Sequence, residues 1–329
     1  MFDIFQNTIR PHQNLFFRKN DANDIRLGEI VSQNSYQEAA VVILGCPQDA
    51  GVRRNGGRGG AALAPNAVRR QFYKLTPFGI SVKIFDSGDT IIQKTLEETH
   101  DLHAKIVERM LLDDKKLIVL GGGNDISYAD GSAMAKVCGA DHWLGFNIDA
   151  HFDVRADSPR NSGTPYRQLL DEELLPPINF FEIAFQPTAT SPTYFNYLKS
   201  LKVNLTSLDE YSFSILKSSV EKRLSTPDSR LSIFWGFDLD AVRAADAPGT
   251  SAPSPLGLSA QEFCDLAKFA GGLPDTKIVE FTEVNPNFDI DNRTAKLVAL
   301  AMHGFLQSQN RERIGFTGAK VKRQEAELK

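Results

Sequence analysis

An apolar segment, 144–148, leads into the acidic pentapeptide DAHFD at residues 149–153, and a second, 231–237, leads into DLD at residues 238–240. If both segments are buried strands of one sheet, their acidic ends emerge together, with alternate residues of DAHFD on one side. Crowded carboxylates repel one another unless cations neutralise them. Four carboxylates and one imidazole suit hard or borderline divalent ions such as Mn2+. The pattern therefore predicts a two-metal hydrolase that activates a water molecule.

A plainer interpretation is that DAHFD forms a solvated turn and that DLD caps a helix. Each peptide alone is about equally compatible with that interpretation. The presence of both peptides after buried-type segments of the same chain favours the metal site.

The composition is that of an ordinary globular protein. The 329 residues include 42% hydrophobic and 24% charged residues, with a net charge of −4, so the chain can bury a substantial core. No basic run indicates nucleic acid or an anionic membrane, no apolar stretch approaches the length of a membrane span, and no secretion signal is expected. Three widely spaced cysteines, an odd number, indicate reduced thiols and a cytoplasmic location.

Apolar runs and helical patterns alternate along the chain. Core strands are expected at 41–44, 117–120, 144–148, 231–237 and 278–281, and helices at 96–112 and 260–270. Ser259 and Glu262 form a capping box at the start of the second helix, and Gly271 is expected at its C-terminal cap. The alternation predicts a mainly parallel sheet with helices on both faces, and a site beyond the carboxyl ends of its strands.

The domain organisation is expected to be simple, because the sequence contains no internal repeat, low-complexity tract or linker. We expect a single catalytic domain at residues 36–310. An N-terminal arm at residues 1–35 precedes it, and a polar C-terminal tail at residues 311–329 follows it.

Four blocks of the sequence resemble the signature blocks of the arginase (ureohydrolase) superfamily, in the same order. They are GGGND at 121–125, DAHFD at 149–153, DLD at 238–240 and EVNP at 283–286. Two further segments, GVRRNGGR at 51–58 and APGTSAPSP at 247–255, are most similar to formimidoylglutamases. Those enzymes hydrolyse N-formimidoyl-L-glutamate to glutamate and formamide in histidine degradation. The resemblance covers residues 41–306 and implies a three-layer α/β/α arginase-like fold with a mainly parallel eight-stranded sheet and two manganese ions.

The resemblance also implies two sets of metal ligands. The first site takes Asn124, Asp149, Asp153 and Asp238. The second site takes Asp149, His151, Asp238 and Asp240, so that Asp149 and Asp238 bridge the two ions. Asp240 is further expected to move a proton to the departing amine, and Glu283 to pair with the amidinium of the substrate.

The sequence departs from the superfamily at two positions. Asn124 stands where the superfamily usually has a metal-binding histidine. Because a neutral amide oxygen is a weaker ligand than imidazole, we expect the first site to hold its ion loosely. Ser162 stands where arginases have a histidine that shuttles protons, so this chain must dispense with the shuttle or use another group.

A substrate with two carboxylates requires fixed cations, and arginine suits bidentate carboxylate binding. The candidates lie in two loops that lead toward the site: Arg53, Arg54, Arg58, Arg155, Arg160 and Arg167. We expect at least two of them to line the pocket, and Arg155 foremost, because arginases carry a neutral asparagine there. Asn55 and Ser162 are further candidates for substrate binding. Asn55 and its two following glycines either present backbone N–H groups to an anion or form a simple turn.

Two alternatives to formimidoylglutamate hydrolysis remain. One is another ureohydrolase: an arginase, an agmatinase or a guanidino-acid hydrolase. The other is a metal-poor pseudoenzyme with a binding or regulatory role, which the retention of four aspartates disfavours. The expected partner is a small amidine molecule, without nucleic acid or membrane, and the resemblance implies a homo-oligomer.

Overall fold

The computed structural model describes residues 2–225 and 231–309, which fold around one nine-stranded sheet. The strands are β1 (Thr8–Ile9), β2 (Val41–Gly45), β3 (Ile84–Thr90), β4 (Lys116–Leu120), β5 (Trp143–Ile148), β6 (Phe180–Phe185), β7 (Asn204–Ser207), β8 (Ser232–Asp238) and β9 (Thr276–Thr282). Their order across the sheet is β1-β3-β2-β4-β9-β8-β5-β6-β7. Strand β1 is antiparallel to β3, and the other eight strands are parallel. The predicted parallel sheet is confirmed, with a short antiparallel strand added at one edge.

Helices cover both faces of this sheet. They are α1 (Leu27–Val31), α2 (Ala50–Arg54), α3 (Ala64–Phe72), α4 (Leu96–Leu112), α5 (Ser127–Cys138), α6 (Pro165–Asp171), α7 (Pro192–Ser200), α8 (Phe213–Leu224), α9 (Ala260–Gly272) and α10 (Arg293–Ser308). Two hydrophobic clusters separate the sheet from the helices, one beneath α3, α9 and α10 and the other beneath α4, α5 and α6. On β2, Val41 and Ile43 belong to the first cluster, whereas Val42 and Leu44 belong to the second. This alternation gives the three layers of a sheet that is buried on both faces.

Helix α9 begins where the sequence predicts but ends later. The Ser259 hydroxyl accepts from the backbone N–H of Glu262 at 3.3 Å, and the Glu262 carboxylate accepts from that of Ser259 at 2.8 Å, which confirms the capping box. The prediction that Gly271 is the C-terminal cap is wrong, because the helix continues through Gly272. A Cβ atom on Gly271 would lie 2.2 Å from the carbonyl oxygen of Phe305 in α10. Close helix packing therefore requires glycine at this position.

The N-terminal residues pack against the sheet. Strand β1 pairs with β3, and the buried ring of Phe16 stacks on Tyr73 with their centroids 4.7 Å apart. The boundary between an arm at residues 1–35 and a domain at residues 36–310 stays a prediction. The predicted tail at 311–329 lies outside the described residues.

The strand order brings the chemically interesting residues to one edge of the sheet. Strands β4, β9, β8 and β5 are neighbours at its centre and run parallel. Asn124 follows β4, Glu283 follows β9, Asp238 ends β8 and Asp149 follows β5. Because parallel strands end on the same side, these four residues meet beyond the carboxyl edge.

Candidate functional site

Two groups of potential metal ligands share Asp149 in the part of the chain that the structure describes. Asp149, Asp153 and Asp238 form one group, and Asp149, His151 and Asp240 form the other. Within each group, one ligand atom from each residue lies within 4.8 Å of the others. These groups correspond to the ligand sets predicted for the first and second metal sites, and Asp149 belongs to both. Bridging by Asp238, which belongs to the first group alone, stays a prediction.

Short hydrogen bonds fix these side chains. The Asp149 carboxylate accepts from the backbone N–H of His151 at 2.7 Å, and the Asp238 carboxylate accepts from that of Asp240 at 2.9 Å. The Nδ1 atom of His151 lies 3.2 Å from Asp240 Oδ2 and 3.4 Å from Asp149 Oδ1. The buried Oδ1 atom of Asp240 has no hydrogen-bond partner among the described residues. An unpaired carboxylate oxygen at this position is a ready cation ligand.

The charges of the cluster are strongly coupled. Burial and the charge of Asp240 raise the pKa of Asp149 to about 6, and burial with neighbouring carboxylates raises the pKa values of Asp153 and Asp238 well above their usual range. The Asp240 carboxylate in turn raises the pKa of His151. Burial would raise the pKa of Asp240, but the imidazolium of His151 holds it below its ordinary value. Cations relieve this repulsion, so the residues fit a pair of divalent ions.

Two residues of the site adopt left-handed backbone conformations. Asp153 has φ +48° and Glu283 has φ +62°, a region that residues other than glycine seldom occupy. Such conformations are energetically costly and cluster at functional sites. The backbone therefore marks the same two carboxylates that the sequence singles out.

Glu283 is buried beside Asn124. Its carboxylate accepts from the backbone N–H of Asn124 at 2.9 Å and from the hydroxyl of Ser251 at 2.6 Å. Burial is the main cause that raises the pKa of Glu283 to about 8. A cation that approached this carboxylate would favour its ionised form.

Metal binding by Asn124 stays a prediction, and its side-chain amide turns the nitrogen toward the acidic cluster. Its nitrogen donates to Asp153 Oδ2 at 2.7 Å. Its oxygen, the predicted metal ligand, accepts from the hydroxyl of Thr282 and lies 3.1 Å from that of Ser127. The physical reason is that carboxylates accept hydrogen bonds, so they attract the amide N–H groups.

A cavity of about 450 Å³ opens onto this cluster. Its acidic end is lined by His151, Asp153, Asp238, Asp240 and Glu283. Its walls include Asn55, Arg155, Ser162, Ser191, Tyr194 and Ser251. The acidic cluster thus forms one end of a pocket that also contains a cation.

Arg155 is that cation. The guanidinium forms no salt bridge with any described residue. Its backbone N–H donates to the carbonyl of Gly163 at 2.8 Å, and a Cβ atom on Gly163 would lie 2.8 Å from Arg155 Cδ. The missing side chain of Gly163 therefore leaves room for the arginine stem.

The expectation that at least two arginines line the pocket is not met, because the others have partners elsewhere. Arg54 donates to both carboxylate oxygens of Glu97, at 2.6 and 3.2 Å. Arg160 lies over the ring of Tyr128, 4.5 Å from its centroid. The remaining ion pairs are Arg53 with Asp49 and Arg167 with Asp171.

Arg58 supports the pocket without lining it. Its guanidinium donates to the carbonyls of Ser251 at 3.1 Å and Thr250 at 2.5 Å, and it lies over the ring of Phe288. Because the Ser251 hydroxyl donates to Glu283, Arg58 holds the loop that contacts this carboxylate.

Asn55 belongs to a turn, which decides between the two interpretations of that segment. The backbone N–H groups of Asn55, Gly56 and Gly57 donate to carbonyls of α2, at 2.9–3.0 Å, and are not available to an anion. The Asn55 side chain donates to the Ser162 hydroxyl at 3.1 Å. Both side chains line the cavity, as predicted substrate contacts should.

Several buried polar residues behind the site were missed by the sequence analysis. Asn147 donates to Asp149 Oδ2 at 3.2 Å and to the carboxylate of Glu182. Ser127 donates to Glu280 at 2.5 Å. The signal that could have found three of them is a polar residue inside an apolar run: Asn147 in β5, Glu182 in β6 and Glu280 in β9.

Comparisons with known proteins agree with this architecture. A model described as Arginase family matches residues 39–306. Formimidoylglutamase from Staphylococcus carnosus is 32% identical over 287 residues, which are 86% of this chain and 91% of the relative. Trypanosoma cruzi formiminoglutamase with Mn2+ has a TM-score of 0.79 at 32% identity, covering 87% of this chain and 98% of that chain. An asparagine-to-histidine variant of that protein with Mn2+ has a TM-score of 0.80 at 31% identity, covering 88% and 99%. This chain therefore belongs to the arginase family.

Proposed function

We propose that this chain hydrolyses the formimino C–N bond of N-formimidoyl-L-glutamate, releasing glutamate and formamide, with two manganese ions per subunit as cofactor. Support comes from relatives named formimidoylglutamase and from similar structures that contain Mn2+. One observation carries the choice of substrate: the cavity combines the acidic cluster with Arg155, a cation that forms no salt bridge with the described residues. The acidic end suits an amidinium, and the arginine suits a carboxylate of the same molecule. Agmatine lacks a carboxylate, and arginine carries an additional positive charge.

The metal ligands proposed from the sequence are retained. The first site would take Asn124, Asp149, Asp153 and Asp238, and the second Asp149, His151, Asp238 and Asp240. When bound, the metal pair would lower the pKa of a shared water molecule and orient it toward the formimino carbon. The oxygen donors and the single imidazole of this set suit Mn2+.

Two carboxylates would handle charge and protons during the reaction. Glu283, buried at the acidic end of the cavity, would accept hydrogen bonds from the substrate amidinium. Asp240, whose Oδ1 is without a hydrogen-bond partner among the described residues, would carry a proton to the departing nitrogen. Asp240 would thereby also serve in place of the histidine that is absent at Ser162.

The carboxylate side of the substrate would lie against the walls of the cavity. Arg155 would bind one carboxylate, and Asn55 and Ser162 would offer polar contacts beside it. Arg54, Arg58 and Arg160, also expected to bind substrate, would act indirectly, because each is already engaged with other residues.

The biological setting follows from the reaction. Formimidoylglutamate hydrolysis places the enzyme in histidine degradation, and three free cysteines favour a reducing, cytoplasmic compartment. No helix in the described part of the chain is long and apolar enough to cross a membrane. A homo-oligomer is proposed from the resemblance to the arginase superfamily.

The test is an assay of the Mn2+-loaded protein against three substrates. We expect glutamate release from formimidoylglutamate and negligible urea from arginine or agmatine. Equal turnover of arginine would replace the proposal with another ureohydrolase activity. Tight metal binding without turnover of any substrate would favour a binding or regulatory protein.

Replacing Arg155 tests the substrate assignment. Arg155→Ala should raise KM for formimidoylglutamate by one to three orders of magnitude, because a lost carboxylate contact costs about 2–4 kcal/mol. The matched control is Arg167→Ala, which removes an arginine paired with Asp171 on the surface of α6 and should leave KM unchanged. Unchanged kinetics in Arg155→Ala would contradict the proposed carboxylate site.

A further inference from the structure

The side-chain amide of Asn124 is hydrogen-bonded on both sides. Its nitrogen faces the metal-ligand cluster, 2.7 Å from Asp153 Oδ2 and 3.5 Å from Asp149 Oδ2. Its oxygen accepts from Thr282 Oγ1 at 2.9 Å and lies 3.1 Å from Ser127 Oγ. All five residues except Asp153 are buried. The two hydroxyls are therefore the groups that contact the amide on the side away from the cluster.

A metal ion at the first site requires the amide oxygen, rather than the nitrogen, on the side of the metal ligands. An N–H group directed at a cation is unfavourable, whereas the amide oxygen is a suitable ligand for Mn2+. A half-turn about the Cβ–Cγ bond of Asn124 exchanges its nitrogen and oxygen. After that exchange, the NH2 group faces Ser127 and Thr282. A hydroxyl accepts hydrogen bonds as well as donating them, so both residues can satisfy the amide in either orientation.

Ser127 is already prepared for the exchanged orientation. Its hydroxyl has one proton and two acceptors within reach, Glu280 Oε1 at 2.5 Å and Asn124 Oδ1 at 3.1 Å. The shorter contact has the length of a strong O–H···O hydrogen bond. When the Ser127 hydroxyl donates its hydrogen bond to Glu280, only lone pairs of the hydroxyl oxygen face Asn124. Lone pairs favour the NH2 group on that side and the oxygen on the side of the metal ligands.

We propose that Ser127 and Thr282 are positioning residues that allow the Asn124 amide to turn its oxygen toward a metal ion at the first site, with Glu280 holding Ser127 as an acceptor. The proposal rests on the manganese dependence proposed above. It predicts an effect on the first metal site but not on the second, because neither hydroxyl contacts His151 or Asp240 through any hydrogen bond formed among the described residues. Loss of the hydroxyls would leave the buried amide oxygen without donors in the metal-free orientation and buried N–H groups without acceptors in the metal-bound one, and orphaned N–H groups are the more rarely tolerated of the two.

The test is a titration of metal-stripped full-length protein with Mn2+, read by equilibrium dialysis and by the electron paramagnetic resonance signal of spin-coupled manganese. In the double variant Ser127→Ala/Thr282→Val, affinity at the first site should fall about ten- to a hundredfold, the usual range for partners of a metal ligand. Affinity at the second site should stay within a few-fold of wild type. The spin-coupled signal should need correspondingly more Mn2+.

Matched controls come from the same elements. Ser132→Ala removes a hydroxyl from α5 that donates to the Tyr128 carbonyl, and Thr276→Val removes one from β9 that donates to the Ala270 carbonyl. Both should bind two ions as wild type does. If the double variant fails to fold by circular dichroism, Thr282→Ser and Thr282→Ala replace it. The serine should keep wild-type affinity and the alanine should lose it.

Three results would overturn the proposal: wild-type affinities in the variants without hydroxyls, equal weakening of both sites, or a wild-type protein that binds one ion only. A different pattern would affect the proposed function alone. If the first site weakens selectively but no variant or wild-type protein releases glutamate, the positioning role stands and the substrate is wrong.

Discussion

Asp149 lies between the two groups of potential ligands, whereas Asp240 belongs to one of them. A bridging carboxylate that becomes a neutral amide should weaken both metal sites, because each loses a charged oxygen. Asp149→Asn should therefore lose both ions and all activity. Asp240→Asn should still bind an ion at the first site while Mn2+ is supplied, and it should lose most turnover. Metal content by mass spectrometry after dialysis against buffer that contains Mn2+ distinguishes the two variants, and two tightly held ions in Asp149→Asn would show that the bridging assignment is wrong.

Asn124 is the weakest ligand proposed, since a neutral amide oxygen competes poorly with water for a divalent ion. In wild-type protein the second site should therefore keep its ion through purification, while the first needs added Mn2+. Asn124→His supplies a nitrogen donor that binds first-row divalent metals well. We expect the first site to tighten by roughly ten- to a hundredfold, measured by Mn2+ titration beside wild type. Two equal, tight sites in the wild type would contradict this expectation.

At the residue scale, sequence reasoning identified the acidic cluster but not the arginine partners. DAHFD and DLD are short and local, so the chemistry of each peptide is legible from adjacent positions. The partners of Arg58 are residues 250 and 251, nearly two hundred positions away. No local pattern indicates that such a guanidinium is already engaged. That Arg155 forms no salt bridge within residues 2–225 and 231–309 becomes visible only when the surrounding chain is in place.

At the scale of elements, α9 and α10 offer a matched pair of neighbouring glycines. A Cβ on Gly271 would meet the Phe305 carbonyl oxygen at 2.2 Å, whereas a Cβ on Gly272 would have no atom within 4 Å. Gly271→Ala should lower the free energy of unfolding by about 1–3 kcal/mol, as overpacked substitutions do. Gly272→Ala should raise it by up to about 1 kcal/mol, because alanine is the better helix former.

Urea denaturation of the two glycine variants and the wild type measures both effects. Equal stability of the two variants would show that α10 moves to accommodate the new methyl group. The sequence predicted the start of α9 correctly, because a capping box is a local signal. It predicted the end wrongly, because a helix cap and a close helix contact both select glycine, and one sequence does not distinguish them.

At the scale of the whole molecule, the acidic cluster links stability to pH. The pKa values of Asp153, Asp238 and His151 are raised. The native state therefore binds more protons than the unfolded state once pH exceeds the unfolded values. Stability of the metal-free protein should fall as pH rises from 6.5 to 8.5. Asp240, whose pKa is lowered, is ionised in both states across this range and adds no slope.

Manganese should reverse this trend. Metal ligands must lose their protons to bind, so the apparent affinity should rise by roughly tenfold per pH unit for each proton displaced. The increase in Tm on adding Mn2+ should consequently be larger at pH 8.5 than at pH 6.5. Scanning calorimetry with and without Mn2+ checks both slopes. If the increase in Tm on adding Mn2+ does not depend on pH, the ligands are already deprotonated at pH 6.5.

The position of β8 and β9 between β4 and β5 has a consequence for synthesis on the ribosome. When β7 emerges, the strands made so far belong to two separate parts of the sheet, and β4 and β5 are the edge strands that face each other across the gap. Both edges are open and can pair with other chains. Strands β8 and β9, which are synthesised afterwards, join the two parts. Asn124 and Asp149 lie on opposite sides of this seam. Premature termination before β9 therefore removes Glu283 and the strand that joins β8 to β4, so Asn124 is separated from the other proposed ligands.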